Sequence, residues 1–312
     1  MKRMSQFAFS VLAGLIICAL AVYAQETRPN VDQGHDAQTA AAASGEARDL
    51  GGARPEVYKR VGEVELKIYF FMPPGHQPTD KRPAIVFFHG GGNRPSQFAP
   101  QCKYFASRGM VAATADYWVR NVNTTHAGDS ASGANGQAAV RWIRAHAREL
   151  GVDPERIAAG GGSAGGYVTV ATGMLKDFTG DKGASISFRP NAMVLFNTGV
   201  VLTPDKAAKR GVKAEEHSPM DNVRPGLPPT IILVGKSDEM IPFEQVEAFA
   251  KAMKAAGNRC ELVGFDGQGH GFFNYGRGDN RFFRETLKQA DEFLASLGYL
   301  SGPPQVERFL AR

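Results

Sequence analysis

The sequence has few of the residues that build metal or disulfide sites. It carries three cysteines in 312 residues, and no cysteine–histidine cluster has zinc-ligand spacing. Neither a metal nor an organic cofactor is expected. Cys18 lies in the N-terminal apolar run, which leaves Cys102 and Cys260. An oxidising compartment would let these two pair, and two buried free thiols are the equal alternative. A basic block is also lacking. The formal net charge is +5, but Lys and Arg are scattered among Asp and Glu. That pattern describes a mixed, solvated surface and argues against nucleic-acid binding. The glycine cluster at 160–166 does not end in Gly-Lys-Ser/Thr, so it is not a Walker phosphate loop.

Long apolar runs are missing too. The longest candidate, Phe7 to Ala21, falls short of the roughly 20 residues that span a bilayer. Lys2 and Arg3 precede it, and Val22-Tyr23-Ala24 puts small residues at −3 and −1. These three parts predict a secretory leader cleaved after Ala24, bacterial in style, with export to a periplasm or the medium. An uncleaved anchor is the rival reading. Ile17 before Cys18 is too bulky for a lipobox. Once the leader is removed, no stable membrane insertion is expected. Residues 25–54 are rich in Ala, Gln, Gly, Asp and Thr, and read as a disordered linker. The folded domain is expected over 55–300, with a tail at 301–312.

From Val57 onward the pattern is regular. Residues 64–70 alternate apolar and polar, as a half-exposed strand does. Residues 84–88 and 111–115 are continuous apolar runs, as in buried parallel strands. Further strands are expected at 157–159, 192–196, 230–234 and 261–265. Helical patterns occupy 138–150, 164–175, 243–256 and 284–297. Alternating strands and helices predict an α/β fold with a mostly parallel sheet covered on both faces. Active residues in such sheets sit beyond the carboxyl ends of the strands.

Five glycines surround Ser163 in GGGSAGG over 160–166. The motif G-x-S-x-G follows a short strand and opens a helical segment, the context of a nucleophile elbow. Residues two positions either side of the serine must be small there. The amide of Ala164 at the helix start would face a developing oxyanion. A plain glycine-rich turn is the bland alternative. Upstream, FFHGGGN over 87–93 follows a buried strand. Three successive glycines can aim several N–H groups into one small volume, so Gly91 and Gly92 join Ala164 as oxyanion-hole candidates. His89 reads as a structural residue that fixes this loop.

A serine hydroxyl needs a base, and the base needs a carboxylate to orient it. Among seven histidines, His270 alone sits in a glycine-rich loop between the last strand and the last helix. His126 and His217 lie in polar loops, His35 in the linker, His76 in a proline-rich turn and His146 within a helix. Asp238 sits just past the 230–234 strand. Its rivals are Glu239 and Asp266, and its bland role is to cap the helix near Pro242. Met240, Phe272 and Phe273 flank these residues and could line an acyl pocket, though plain packing is the commoner use. Asn93, Arg94 and Asn197 could meet a polar alcohol.

The order Ser163, Asp238, His270, with HGGG at 89–92 and GGSAGG at 161–166, resembles the α/β-hydrolases. The resemblance covers about 57–298 and is nearest to the hormone-sensitive-lipase-like esterases and their exported carbohydrate-esterase relatives. It implies an α/β-hydrolase fold and serine acyl-transfer chemistry without a cofactor. Two residues depart from the pattern. Gly162 stands where many relatives have an acidic residue, and Asn135 stands where a helix often begins with Asp. The inserts at 119–133 and 200–229 are modest, so a small cap and a partly open site are expected. The leading reading is an exported short-acyl esterase, with acetyl or feruloyl esters of plant polysaccharide as possible substrates. A peptidase or amidase of the same fold and a non-catalytic binding protein are the alternatives. Prolyl-type peptidases usually carry a large propeller, for which these 312 residues have no room. The oligomeric state is open.

Overall fold

The computed structural model describes residues 50–92, 94–117, 130–180 and 185–311. The expected leader, most of the expected linker, Asn93, His35 and His126 lie outside the described residues. Eight strands of the described chain form one sheet: β1 (Arg54–Val61), β2 (Val64–Phe71), β3 (Arg82–Phe88), β4 (Val111–Ala115), β5 (Val152–Gly162), β6 (Ala192–Phe196), β7 (Thr230–Gly235) and β8 (Cys260–Phe265). Their order across the sheet is β1-β2-β4-β3-β5-β6-β7-β8. β1 pairs antiparallel with β2, and β2 with β4. Every other pairing is parallel. This is the α/β-hydrolase fold.

Strand alternation sorts the core into two layers. Ile85, Phe87, Val194, Phe196 and Leu233 point to one face. There they meet α1 (Ala99–Ser107) and α7 (Arg281–Ser296) through Cys102, Phe105, Leu287 and Leu294. On the other face, Val86 and Phe88 meet Val140 and Ile143 of α2 (Ser130–Ala145) and Val168 of α3 (Ala164–Met174). Met193, Ile232 and Val234 meet Val170 of α3 and Val246 and Phe249 of α6 (Phe243–Ala255). Two short helices, α4 (Pro204–Lys209) and α5 (Ala214–His217), lie between β6 and β7. No helix among the described residues is long and apolar enough to cross a membrane.

Three features differ from expectation. β1 precedes the first expected strand, and Leu50 is already buried within the residues read as linker. α2 begins at Ser130, two turns before the expected start. The residues read as a tail include α8 (Val306–Leu310), with Val306 buried against the core. The two cysteines are free, buried and in different core clusters.

Candidate active site

Ser163 lies between the end of β5 and the start of α3, with φ 54° and ψ −117°. A non-glycine residue at positive φ is strained, and strain of this kind gathers at functional sites. Its N–H donates to Phe196 O at 2.9 Å, which pins the elbow to β6. The flanking glycines are there for space. A Cβ on Gly161 would lie 2.4 Å from Gly165 O, and one on Gly165 would lie 2.0 Å from Phe88 O. Real Cβ atoms do not come so close, so helix, elbow and β3 can meet only without side chains at these positions.

Asp238 follows β7, and its side chain is fully buried. Oδ1 accepts the N–H groups of Met240 (2.9 Å) and Ile241 (3.1 Å). Oδ2 accepts from His270 Nδ1 at 2.8 Å and from Asn197 Nδ2. Burial pushes the carboxyl pKa up, but the hydrogen bonds from Asn197, His270, Met240 and Ile241 outweigh it and hold the pKa below the ordinary carboxylate value. A carboxylate only accepts, so the proton at this contact sits on His270 Nδ1, and Nε2 is left as the acceptor. The rivals fall away. Glu239 is exposed, and Asp266 is exposed and paired with Lys236 at 2.8 Å. Asp238 does not cap α6, whose first turn receives no side-chain cap.

The histidine loop reaches the serine elbow through Phe273. A Cβ on Gly162 would lie 2.4 Å from Phe273 Cζ. The Ser163 hydroxyl makes no hydrogen bond to another described residue, and such contacts often tighten only when substrate is bound.

The loop after β3 is held at its first two peptides. Tyr117 Oη donates to His89 O at 2.7 Å, and Gly90 N–H donates to Gln97 Oε1 at 2.7 Å. His89 Nδ1 contacts Gly90 O at 2.9 Å, so the proton is on that nitrogen. His89 is 5% exposed with its ring 4.6 Å from that of Tyr117, the structural position expected of it. Holding Gly90 O also fixes the peptide whose other end is Gly91 N–H. Gly91 and Gly92 are exposed, with Gly92 at φ 71°. Ala164 opens α3, so its N–H has no acceptor within the helix.

The pocket candidates divide. Met240 is 66% exposed, and its N–H is held by Asp238. Phe272 is 4% exposed and packs with Phe265, Phe273 and Phe282, so it belongs to the core and does not line a pocket. Asn93 lies outside the described residues. Asn197 does not reach for an alcohol: it is fully buried at φ 43° and holds Asp238. An asparagine placed directly after a buried strand was the only sequence signal for that role, because asparagine tolerates the left-handed region. A cleft of about 570 Å³, lined by Arg144, Glu155, Arg189 and Asn191 among others, lies at the amino ends of the parallel strands. Its Arg144 is spent on Pro154 O, Ser187 O and Asn191 Oδ1.

Residues 96–297 match the prolyl oligopeptidase family. The chain belongs to that family. Within the same fold it is similar to esterase 2 of the planctomycete Thermogutta terrifontis, a thermophilic esterase solved with propionate bound. The two are 46% identical over 82% of this chain and 98% of that one, with a TM-score of 0.78. Structures of that esterase with butyrate bound and phosphorylated by paraoxon match at 45% and 46% identity. Each covers 81% of this chain and 97% of that one, with a TM-score of 0.77. Among curated proteins it is similar to two from Mycobacterium tuberculosis. The probable carboxylic ester hydrolase LipM is 24% identical over 56% of this chain and 46% of its own length. The carboxylic ester hydrolase LipN is 27% identical over 68% of this chain and 62% of its own length. The chain spans about half the length of the curated relatives it matches.

Proposed function

We propose that the protein is an exported serine carboxylic ester hydrolase that acts on short-acyl esters. The observation that carries the reading is the buried Asp238 bound to His270 Nδ1 at 2.8 Å, together with Ser163 at φ 54° on a glycine-walled elbow. In this reading Ser163 Oγ attacks the ester carbonyl while His270 Nε2 takes its proton. The carbonyl π electrons move to oxygen, where Gly91, Gly92 and Ala164 donate to the oxyanion. Collapse breaks the carbon–oxygen bond to the alcohol, which leaves with the proton from His270. Water then repeats the sequence on the acyl-enzyme, releases the acid and restores the serine. Asp238 stays ionised throughout.

Short acyl groups are favoured because the neighbouring esterase was captured with propionate and with butyrate. A bulky alcohol part, such as acetylated or feruloylated polysaccharide, suits the exposed side chain of Met240 next to Asp238 and the short α4 and α5 segment. Export rests on the leader pattern at 1–24. The test is hydrolysis of p-nitrophenyl acetate, butyrate and octanoate by wild type and Ser163→Ala. Acetate and butyrate turnover lost in the variant supports the reading, and no turnover by folded wild type defeats it. Amide hydrolysis is the second reading, favoured by the prolyl oligopeptidase match. A p-nitroanilide turned over faster than the matched ester would select it.

A further inference from the structure

The two halves of the site are joined by a pair of side-chain amides. Gln97 lies in the short turn Pro95–Phe98 after the glycine loop. Its Nε2 donates to Asn274 Oδ1 at 2.9 Å, across 177 residues of sequence. Asn274 Nδ2 in turn donates to Gly271 O at 2.9 Å, directly after His270. The donor and acceptor roles are forced from one end of this chain. Gly271 O only accepts, so Asn274 must present its NH2 there and its oxygen to Gln97. Gln97 must then present its own NH2 to Asn274, which leaves Oε1 for the N–H of Gly90 at 2.7 Å. No other assignment satisfies all three contacts.

We infer that Gln97 and Asn274 are positioning residues that fix the oxyanion loop and the general base relative to each other. The inference rests on the esterase reading for its effect on rate and on the geometry alone for the tether itself. His89–Gly90 is one peptide unit whose oxygen is held by Tyr117 and whose N–H is held by Gln97. Turning it would swing the adjoining Gly91 peptide out of line. The same Gln97 is anchored to the loop that carries His270. A shift of the base therefore drags the oxyanion donors with it, and the distance between proton acceptor and oxyanion site is kept. Small misplacements of such groups are expensive in rate. Neither residue touches the reacting atoms in this arrangement, so neither is catalytic.

The test is a double-mutant cycle on Gln97→Ala and Asn274→Ala with a p-nitrophenyl ester, alongside Ser163→Ala as the control for the esterase reading. Each single variant should lower kcat about tenfold, the worth of one net hydrogen bond at the transition state, with KM within about twofold. The double variant should be no slower than the worse single one, because one tether cannot be cut twice. A general loss of packing would instead lower the melting temperature and leave the residual kcat additive. Losses that add, or Asn274→Ala at wild-type kcat, overturn the inference. A wild type inactive on esters would defeat the functional reading but not this test. Amide hydrogen exchange at Gly90 then decides: exchange faster in Asn274→Ala than in wild type supports the tether, and unchanged exchange overturns it.

Discussion

The ring of Phe273 occupies the space that a side chain at position 162 would fill: a Cβ on Gly162 would lie 2.4 Å from Phe273 Cζ. Phe273 is 1% exposed and packed among Phe98, Phe196 and Phe272, so its ring has no free space to move into. This accounts for the glycine at position 162. Gly162→Ala should cost about 1–3 kcal/mol through overpacking and displace the histidine loop. Adding Phe273→Leu to Gly162→Ala should restore part of both stability and activity. Urea denaturation and ester turnover of the single and double variants check it, and simple addition of the two losses would refute the clash.

Asn197 donates to a buried carboxylate, and its removal should weaken Asp238 in a pH-dependent way. The folded-state pKa of Asp238 lies below its unfolded value. Its stabilising contribution is therefore present above the unfolded pKa, near 3.9, and is lost as pH falls through the folded pKa. Asn197→Ala raises the folded pKa toward the unfolded one. It should cost about 1.5–3 kcal/mol at pH 7, and the gap to wild type should narrow as pH falls below about 4. Denaturant curves at both pH values measure it.

Asp291 joins α1, α7 and the C-terminal residues. It accepts from Arg108 Nε at 2.8 Å and from Tyr104 Oη at 2.5 Å, with Arg108 4% and Asp291 0% exposed at the side chain. Arg108 Nη2 also donates to Ser301 O and Gly302 O, and Gln305 N–H donates to Tyr104 Oη. Asp291→Ala strands a buried guanidinium and should cost roughly 3–5 kcal/mol. Scanning calorimetry should show a fall of about 10 °C. At low temperature, turnover should stay close to wild type, because no residue of the site is touched.

The cysteines should behave as inert core. Cys102 is fully buried and Cys260 is 2% exposed. Burial pushes both thiol pKa values up, that of Cys260 to about 11. An aromatic disulfide reagent should label neither in the native protein and both after unfolding. Reductant should leave the melting temperature unchanged.

The parts of the fold that were legible in sequence are those where burial is continuous. Residues 84–88, 111–115, 192–196 and 230–234 are apolar runs because both faces of each strand are covered. β1 escaped notice because it is an edge strand: RPEVYKRV buries only Tyr58. The start of α2 read as a loop because Ser130-Ala-Ser-Gly-Ala-Asn-Gly136 is poor in helix formers. Packing explains the choice, since a Cβ on Gly136 would lie 2.4 Å from Val168 Cγ1 of α3. In the candidate site, the loop positions of Ser163, Asp238 and His270 were legible because each carries a loop pattern with a chemical reason. Asn197, Gln97 and Asn274 were not, because a side-chain amide that holds another residue has no spacing rule. Phe272 misled for the converse reason. It neighbours the base in sequence, but its side chain turns into the core.

The most direct test of the account is to treat the protein with paraoxon and locate the adduct by peptide mass spectrometry, with ester turnover followed in parallel. The account predicts one phosphoryl group, on Ser163, with turnover lost in proportion to labelling and no adduct in Ser163→Ala. An adduct on another residue, or full labelling of Ser163 with turnover intact, would contradict it.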